Sequence, residues 1–108
     1  MSKRDRLQGT LVLLVLKTLT RGPQHGFGIS VHIETLTDGA LRFQEGSLYP
    51  ALQRMRNEGW VTAEWKMTEN KRRARYYRIT DEGRRKLESE EEHWRRVAHA
   101  VELVLSFA

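Results

Sequence analysis

The stretch EGSLYPALQRMRNEGW, residues 45–60, sets a proline inside an amphipathic pattern. Leu48, Leu52 and Met55 are spaced i, i+4, i+7, so they share one helical face, and Gly59 marks the stop. With Ser47 as N-cap, Pro50 falls at the third helical position, where a missing N–H is one that finds no partner inside a helix anyway. The face opposite the leucines presents Pro50, Gln53 and Asn57, with Ser47 and Arg54 on one flank and Tyr49 and Arg56 on the other. Gln pairs bidentately with adenine and Arg with guanine, while Ser and Tyr donate to phosphates. For a lone helix the plain alternative is a solvated polar face, so the neighbouring segments decide.

Upstream, Leu7, Leu11 and Leu14 with the run Leu11 to Leu16 predict a helix over residues 7–20, stopped by Arg21-Gly22-Pro23. A second helix is expected over residues 26–36, ending near Asp38-Gly39. Downstream, residues 60–65 and 76–80 are rich in β-formers and read as a hairpin around a polar tip at residues 68–74. Lys71, Arg72, Arg73 and Arg75 crowd four cations into five positions there, and phosphates are the simplest polyanion to neutralise them. A solubilising loop is the alternative. Thr80 is the candidate cap of a last helix, with Asp81 and Glu82 complementing its dipole, although Gly83 spoils the capping box. The fold class is therefore mainly α with a small β-hairpin. Residues 1–80 have the element order of a winged helix-turn-helix, and residues 81–108 form an appended dimerisation helix.

The charge pattern agrees. Residues 1–80 carry 14 Lys and Arg against 7 Asp and Glu, and residues 81–108 carry 5 against 7, for a net of +5. A basic front suits a polyanionic partner. The 108 residues contain no cysteine, which excludes disulfides and thiolate metal sites. The longest apolar run, Leu11 to Leu16, is far short of the ~20 residues of a membrane span. No membrane role is expected, and a cytoplasmic location is. His25, His32, His93 and His99 lack metal-ligand spacing, Glu91-Glu92-His93 matches no zinc motif, and Gly26-Phe27-Gly28-Ile29-Ser30 is no nucleophile elbow. We therefore expect no enzyme, no metal and no cofactor.

The last helix carries apolar residues at 94, 97, 101, 104 and 108, spaced 3, 4, 3, 4, which is a heptad-like seam. Such a seam on a terminal helix fits the same helix of a second copy. Leu7, Leu11, Leu87, Trp94, Val97, Val101 and Val104 are the expected dimer contacts, and packing onto the chain's own first helix competes. Trp94 is also the candidate wall of a pocket for a flat aromatic ligand.

Several segments taken in order resemble the PadR family of bacterial transcriptional regulators. They are Gly46-Ser47-Leu48-Tyr49-Pro50-Ala51-Leu52 with Arg54 and Gly59, then Gly22-Pro23 with His25-Gly26-Phe27-Gly28-Ile29, and Arg73-Ala74-Arg75-Tyr76-Tyr77-Arg78-Ile79-Thr80. Leu7-Gln8-Gly9-Thr10-Leu11 and Asn70-Lys71-Arg72-Arg73 are similar to the short, acidobacterial-type subgroup. The resemblance implies a homodimeric repressor on a pseudo-palindromic operator of double-stranded DNA. It implies DNA contacts from Ser47, Leu48, Tyr49, Pro50 and Arg54 and from the wing residues Lys71 to Arg75, and an effector pocket near Trp94 in some relatives. A helical adaptor for an acidic protein is the alternative from another class. RNA binding ranks below it, because Trp60, Trp65, Tyr76 and Tyr77 fit the wing and core.

Overall fold

The apolar run at residues 11–16 folds as helix, in the middle of α1, Lys3–Leu19. The computed structural model describes residues 3–107, with side chains described from Gly9 onward. Leu11, Val12, Val15, Leu16 and Leu19 are all buried, which places α1 at the centre of the core. The buried Thr18 hydroxyl is satisfied within α1 by donating to the Leu14 carbonyl at 2.8 Å. After α1 the chain turns at Gly22, whose φ of +138° favours glycine, and enters β1, Gln24–His25.

Helix α2, Gly26–Leu36, has the bounds its sequence predicts. His25 is its N-cap, and the imidazole Nδ1 accepts from the Gly28 N–H at 2.9 Å. Ile29 and Ile33 bury its inner face. Asp38 and Gly39, with φ of 49° and 80°, turn the chain out of it.

Helix α3 spans Glu45–Asn57 and so starts earlier than expected. Its N-cap is Gln44, which makes no side-chain capping bond, and Ser47 lies inside the first turn. The Leu48 N–H already donates to the Gln44 carbonyl at 2.9 Å. Pro50 is therefore the sixth helical residue, and the donor it lacks is one that an uninterrupted helix would aim at the Gly46 carbonyl. The helix persists because Leu48, Leu52 and Met55 are sunk in the core. It ends in a Schellman motif: Trp60 N–H donates to Met55 O at 2.9 Å and Gly59 N–H to Arg56 O at 3.1 Å, with Gly59 at φ +81°.

Strands β2, Val61–Met67, and β3, Arg73–Ile79, pair antiparallel from Val61↔Ile79 to Met67↔Arg73. They run further out than the sequence suggests. The tip shrinks to residues 68–72, closed by Thr68 N–H to Arg72 O at 2.7 Å, with Lys71 at φ +60°. β1 adds to the far edge of β3, Gln24 opposite Tyr77 and His25 opposite Tyr76, giving sheet order β1-β3-β2. This third strand is absent from the expected hairpin, since two residues form a strand only through their partner.

Helix α4 spans Asp81–Phe107. Thr80 caps it as expected, its Oγ1 accepting from Gly83 N–H at 3.0 Å. Gly83 is required by contact, because a Cβ there would collide with the Trp60 carbonyl oxygen. Leu87 joins the core and Lys17 pairs with Glu91 at 3.2 Å, so the first half of α4 docks on α1. At 27 residues α4 is about 40 Å long, which accounts for the 55 Å long axis of the molecule.

Candidate nucleic-acid interface

Leu48, Leu52 and Met55 anchor one side of α3 and turn Ser47, Pro50, Gln53, Arg54 and Asn57 into solvent. Gln53 Nε2 donates to Asn57 Oδ1 at 3.2 Å, so two of the base-reading candidates are held as a pair one turn apart. Leu48, expected from the family resemblance to contact DNA, is 2% exposed. It is a core residue, as its spacing with Leu52 and Met55 requires, and it cannot reach a ligand without leaving the core.

Tyr49 bridges two elements. Its ring lies against the start of α2, where a Cβ on Gly26 would come within 2.9 Å of Tyr49 Cε1. Burial, then the Glu45 carboxylate, then Tyr77 hold the Tyr49 phenol above its ordinary value, so it is a neutral donor at physiological pH. At 43% exposure it remains accessible.

The wing carries its cations in two groups. Lys71 and Arg72 stand at the exposed tip. Arg73 and Arg75 lie instead on β3, two residues apart and hence on one face, with Trp65 directly opposite Arg75 on β2. The guanidinium carbons of Arg73 and Arg75 sit 5.4 Å and 5.6 Å from the centroid of the Trp65 ring. Arg75 is half-buried, and its Nε is closed off from solvent with no acceptor among the described residues. Among those residues, none of these four cations has an acidic partner.

Tyr49, Trp65, Arg73 and Arg75, but not the tip residues Lys71 and Arg72, line one open groove of about 400 Å³ between the wing, the start of α2 and the first half of α3. Its walls include Phe27, Tyr49, Trp65, Arg73 and Arg75. His25 also borders it, its ring edge-on to Tyr76 with centroids 5.2 Å apart. Trp65, 56% exposed beside both arginines, is the functional candidate that sequence reasoning missed. Register would have found it: counting back from Val61↔Ile79 puts residue 65 across from residue 75.

On α4, Trp94, Val97, Val101 and Val104 are exposed, at 52%, 41%, 49% and 66%. Leu103, Leu105 and Phe107 are exposed as well, so the apolar surface widens toward the C-terminus. Leu11 and Leu87, expected in the dimer interface, are instead buried in this chain's own core at 3% and 6%. The side chain of Leu7, like those of Lys3, Arg4 and Arg6, and all of Ala108 lie outside the described residues. Among those described, no cluster of three His, Cys, Asp or Glu could hold a metal, and no helix is long and apolar enough to cross a membrane.

Two consecutive helices whose second exposes a polar face, followed by a cationic antiparallel wing, define a winged helix-turn-helix regulator that binds DNA. Comparison narrows the class: the chain matches the transcriptional regulator PadR-like family over residues 15–89, and it belongs to that family. Solved structures agree along nearly the whole chain. A transcriptional regulator from Clostridium thermocellum is 30% identical, with a TM-score of 0.82 over 91% of this chain and 95% of that one. A PadR family transcriptional regulator from Eggerthella lenta is 34% identical, with a TM-score of 0.76 over 95% and 88%. A PadR-like regulator from Bacillus cereus is 27% identical, with a TM-score of 0.79 over 96% and 99%.

Proposed function

We propose that the chain acts in the cytoplasm as a homodimeric repressor, and that it covers a pseudo-palindromic operator in double-stranded DNA. The observation that carries this reading is the shared groove, lined by Tyr49 of α3 together with Arg73 and Arg75 of the wing. In the proposed complex the α3 face with Ser47, Pro50, Gln53, Arg54 and Asn57 enters the major groove, and Lys71, Arg72, Arg73 and Arg75 meet backbone phosphates. Base contacts from Gln53 and Arg54 would supply preference, and the cations a sequence-independent attraction.

The exposed seam of α4 supports the second half of the reading. Residues 81–108 form the dimerisation unit appended to the DNA-binding unit of residues 1–80. Trp94, Val97, Val101 and Val104 would pack against the same residues of a second copy, removing an apolar face from water. Two copies related by a two-fold axis read two half-sites, separated by ~34–36 Å or a multiple of it. Trp94, the first residue of that seam, is where a flat aromatic effector would lodge between the copies.

Fluorescence anisotropy with the promoter DNA of the protein's own operon tests the proposal. Binding tighter than to random DNA at physiological salt is expected. Equal affinity for random DNA and for every neighbouring promoter would refute it.

A further inference from the structure

We infer that Trp65 is a positioning residue for DNA binding: it stacks Arg73 and Arg75 over the groove so that their guanidiniums, with the Tyr49 hydroxyl, form a preformed seat for one backbone phosphate. The inference rests on reading this surface as a DNA interface and adds to it which residue makes the wing rigid.

The stack is built by register. Trp65 and Arg75 are cross-strand partners, and Arg73 is the next residue on the same face of β3. Both guanidiniums therefore approach one indole, at 5.4 Å and 5.6 Å, within the range of a cation–π contact. Two like charges two residues apart repel each other, and free arginine side chains would separate into solvent. The indole lets each lie against an apolar plane while it stays charged, which removes rotamer freedom before any ligand arrives. Among the described residues Lys71 and Arg72 at the tip have no aromatic contact, whereas Arg73 and Arg75 share one.

The held pair lines the open groove, and among the described residues neither arginine has an acidic partner. Arg75 Nε is closed off from solvent with no acceptor among the described residues, so what the pair offers a ligand in the groove is its terminal guanidinium nitrogens. Across the groove the phenol of Tyr49 stays protonated and is a donor. Two guanidiniums and a hydroxyl around one opening supply donors and positive charge with no carboxylate lining the groove, which suits a phosphate diester. The ordering cost of the arginines has already been met in the free protein, and that favours affinity.

The test uses the full chain and a short labelled duplex of arbitrary sequence, because a phosphate seat is indifferent to bases. Anisotropy titrations over about 50 to about 200 mM salt give both affinity and the slope of log K against log salt. Trp65→Leu is expected to weaken binding on the order of tenfold at the low-salt end, the size of two exposed cation–π contacts. It should also make the slope shallower by roughly one, as expected for one lost phosphate contact. Trp65→Phe, which keeps a ring, should recover most of the affinity. In an Arg73→Ala/Arg75→Ala background, Trp65→Leu should add less than about a twofold loss, since there is nothing left to position. Trp65 is outside the buried core, so thermal melting should change little; if Trp65→Leu does not fold, Trp65→Phe and Trp65→Gln replace it in the same comparison. Wild-type affinity and slope in Trp65→Leu, or its full loss in the arginine-free background, would overturn the inference while the DNA-binding reading stands. Failure of the unaltered chain to bind any duplex would overturn both.

Discussion

The Thr80 hydroxyl donates to the Gly59 carbonyl at 2.6 Å while it accepts from the Gly83 N–H at 3.0 Å. One side chain therefore ties the end of α3 to the start of α4, with the Thr80 N–H adding a bond to the Trp60 carbonyl at 3.0 Å. The segment that presents α3 to a ligand and the helix proposed for dimer contact are locked at this joint. Thr80→Val keeps the shape and removes both hydroxyl bonds; it should destabilise the protein by about 1–2 kcal/mol in urea unfolding, whereas Thr80→Ser should recover most of that.

Gly83→Ala should be worse than a loss of cap. The added methyl meets the Trp60 carbonyl and lies 2.8 Å from Ile79 Cγ1, neither of which is the free end of a flexible chain. We expect a loss of about 2–3 kcal/mol, read as a lowered urea midpoint with unchanged m-value.

Tyr49 links stability to alkaline pH. Its phenol is held above the ordinary value of 10.0, so the folded state keeps a proton that the unfolded chain releases first. Below that value both states are protonated and the group contributes nothing. As pH rises through it, the unfolded state binds fewer protons and stability falls. Phenolate absorbance should contain a late-titrating component, and Tyr49→Phe should abolish it. The same variant should weaken DNA binding a few-fold at neutral pH.

Arg72 and Gln53 should separate affinity from sequence preference. Arg72→Ala is expected to weaken all duplexes alike and to reduce the salt slope by about one. Gln53→Ala should change the order of preference among sequences with little effect on the slope. Similar effects of both changes on both properties would refute this division of labour.

Val101, 49% exposed and seven residues on from Trp94, lies on the apolar seam of α4. Val101→Glu should leave the protomer folded and give a monomer by light scattering at micromolar concentration. Affinity for promoter DNA should fall with it if, as proposed, each protomer of a dimer engages one half-site.

Much of the fold was legible in local chemistry. The bounds of α2 follow from His25-Gly26 at one end and Asp38-Gly39 at the other, and Gly59 ends α3 because a Schellman turn needs its positive φ. The α3 start was not legible, since Gln44 caps without a side-chain bond and leaves no residue signature, whereas Ser47 looks like a cap and is not one. β1 was hidden for a different reason: its two residues owe their extended pairing to Tyr76 and Tyr77, about 50 positions away.

By itself, the sequence determined the order of the four helices and the β2–β3 hairpin, the polar face of α3, the cationic wing and the seam at residues 94–104, because each depends on periodicity or composition within a short window. Only the tertiary structure decided which members of those patterns are usable. It buried Leu48, Leu11 and Leu87 in the protomer's own core and left Trp94, Val97, Val101 and Val104 in solvent. It also turned Trp65, Arg73 and Arg75 into one stack above a groove shared with Tyr49. The reason is physical: burial and cross-strand register depend on neighbours distant in sequence, and no local pattern encodes which neighbour arrives.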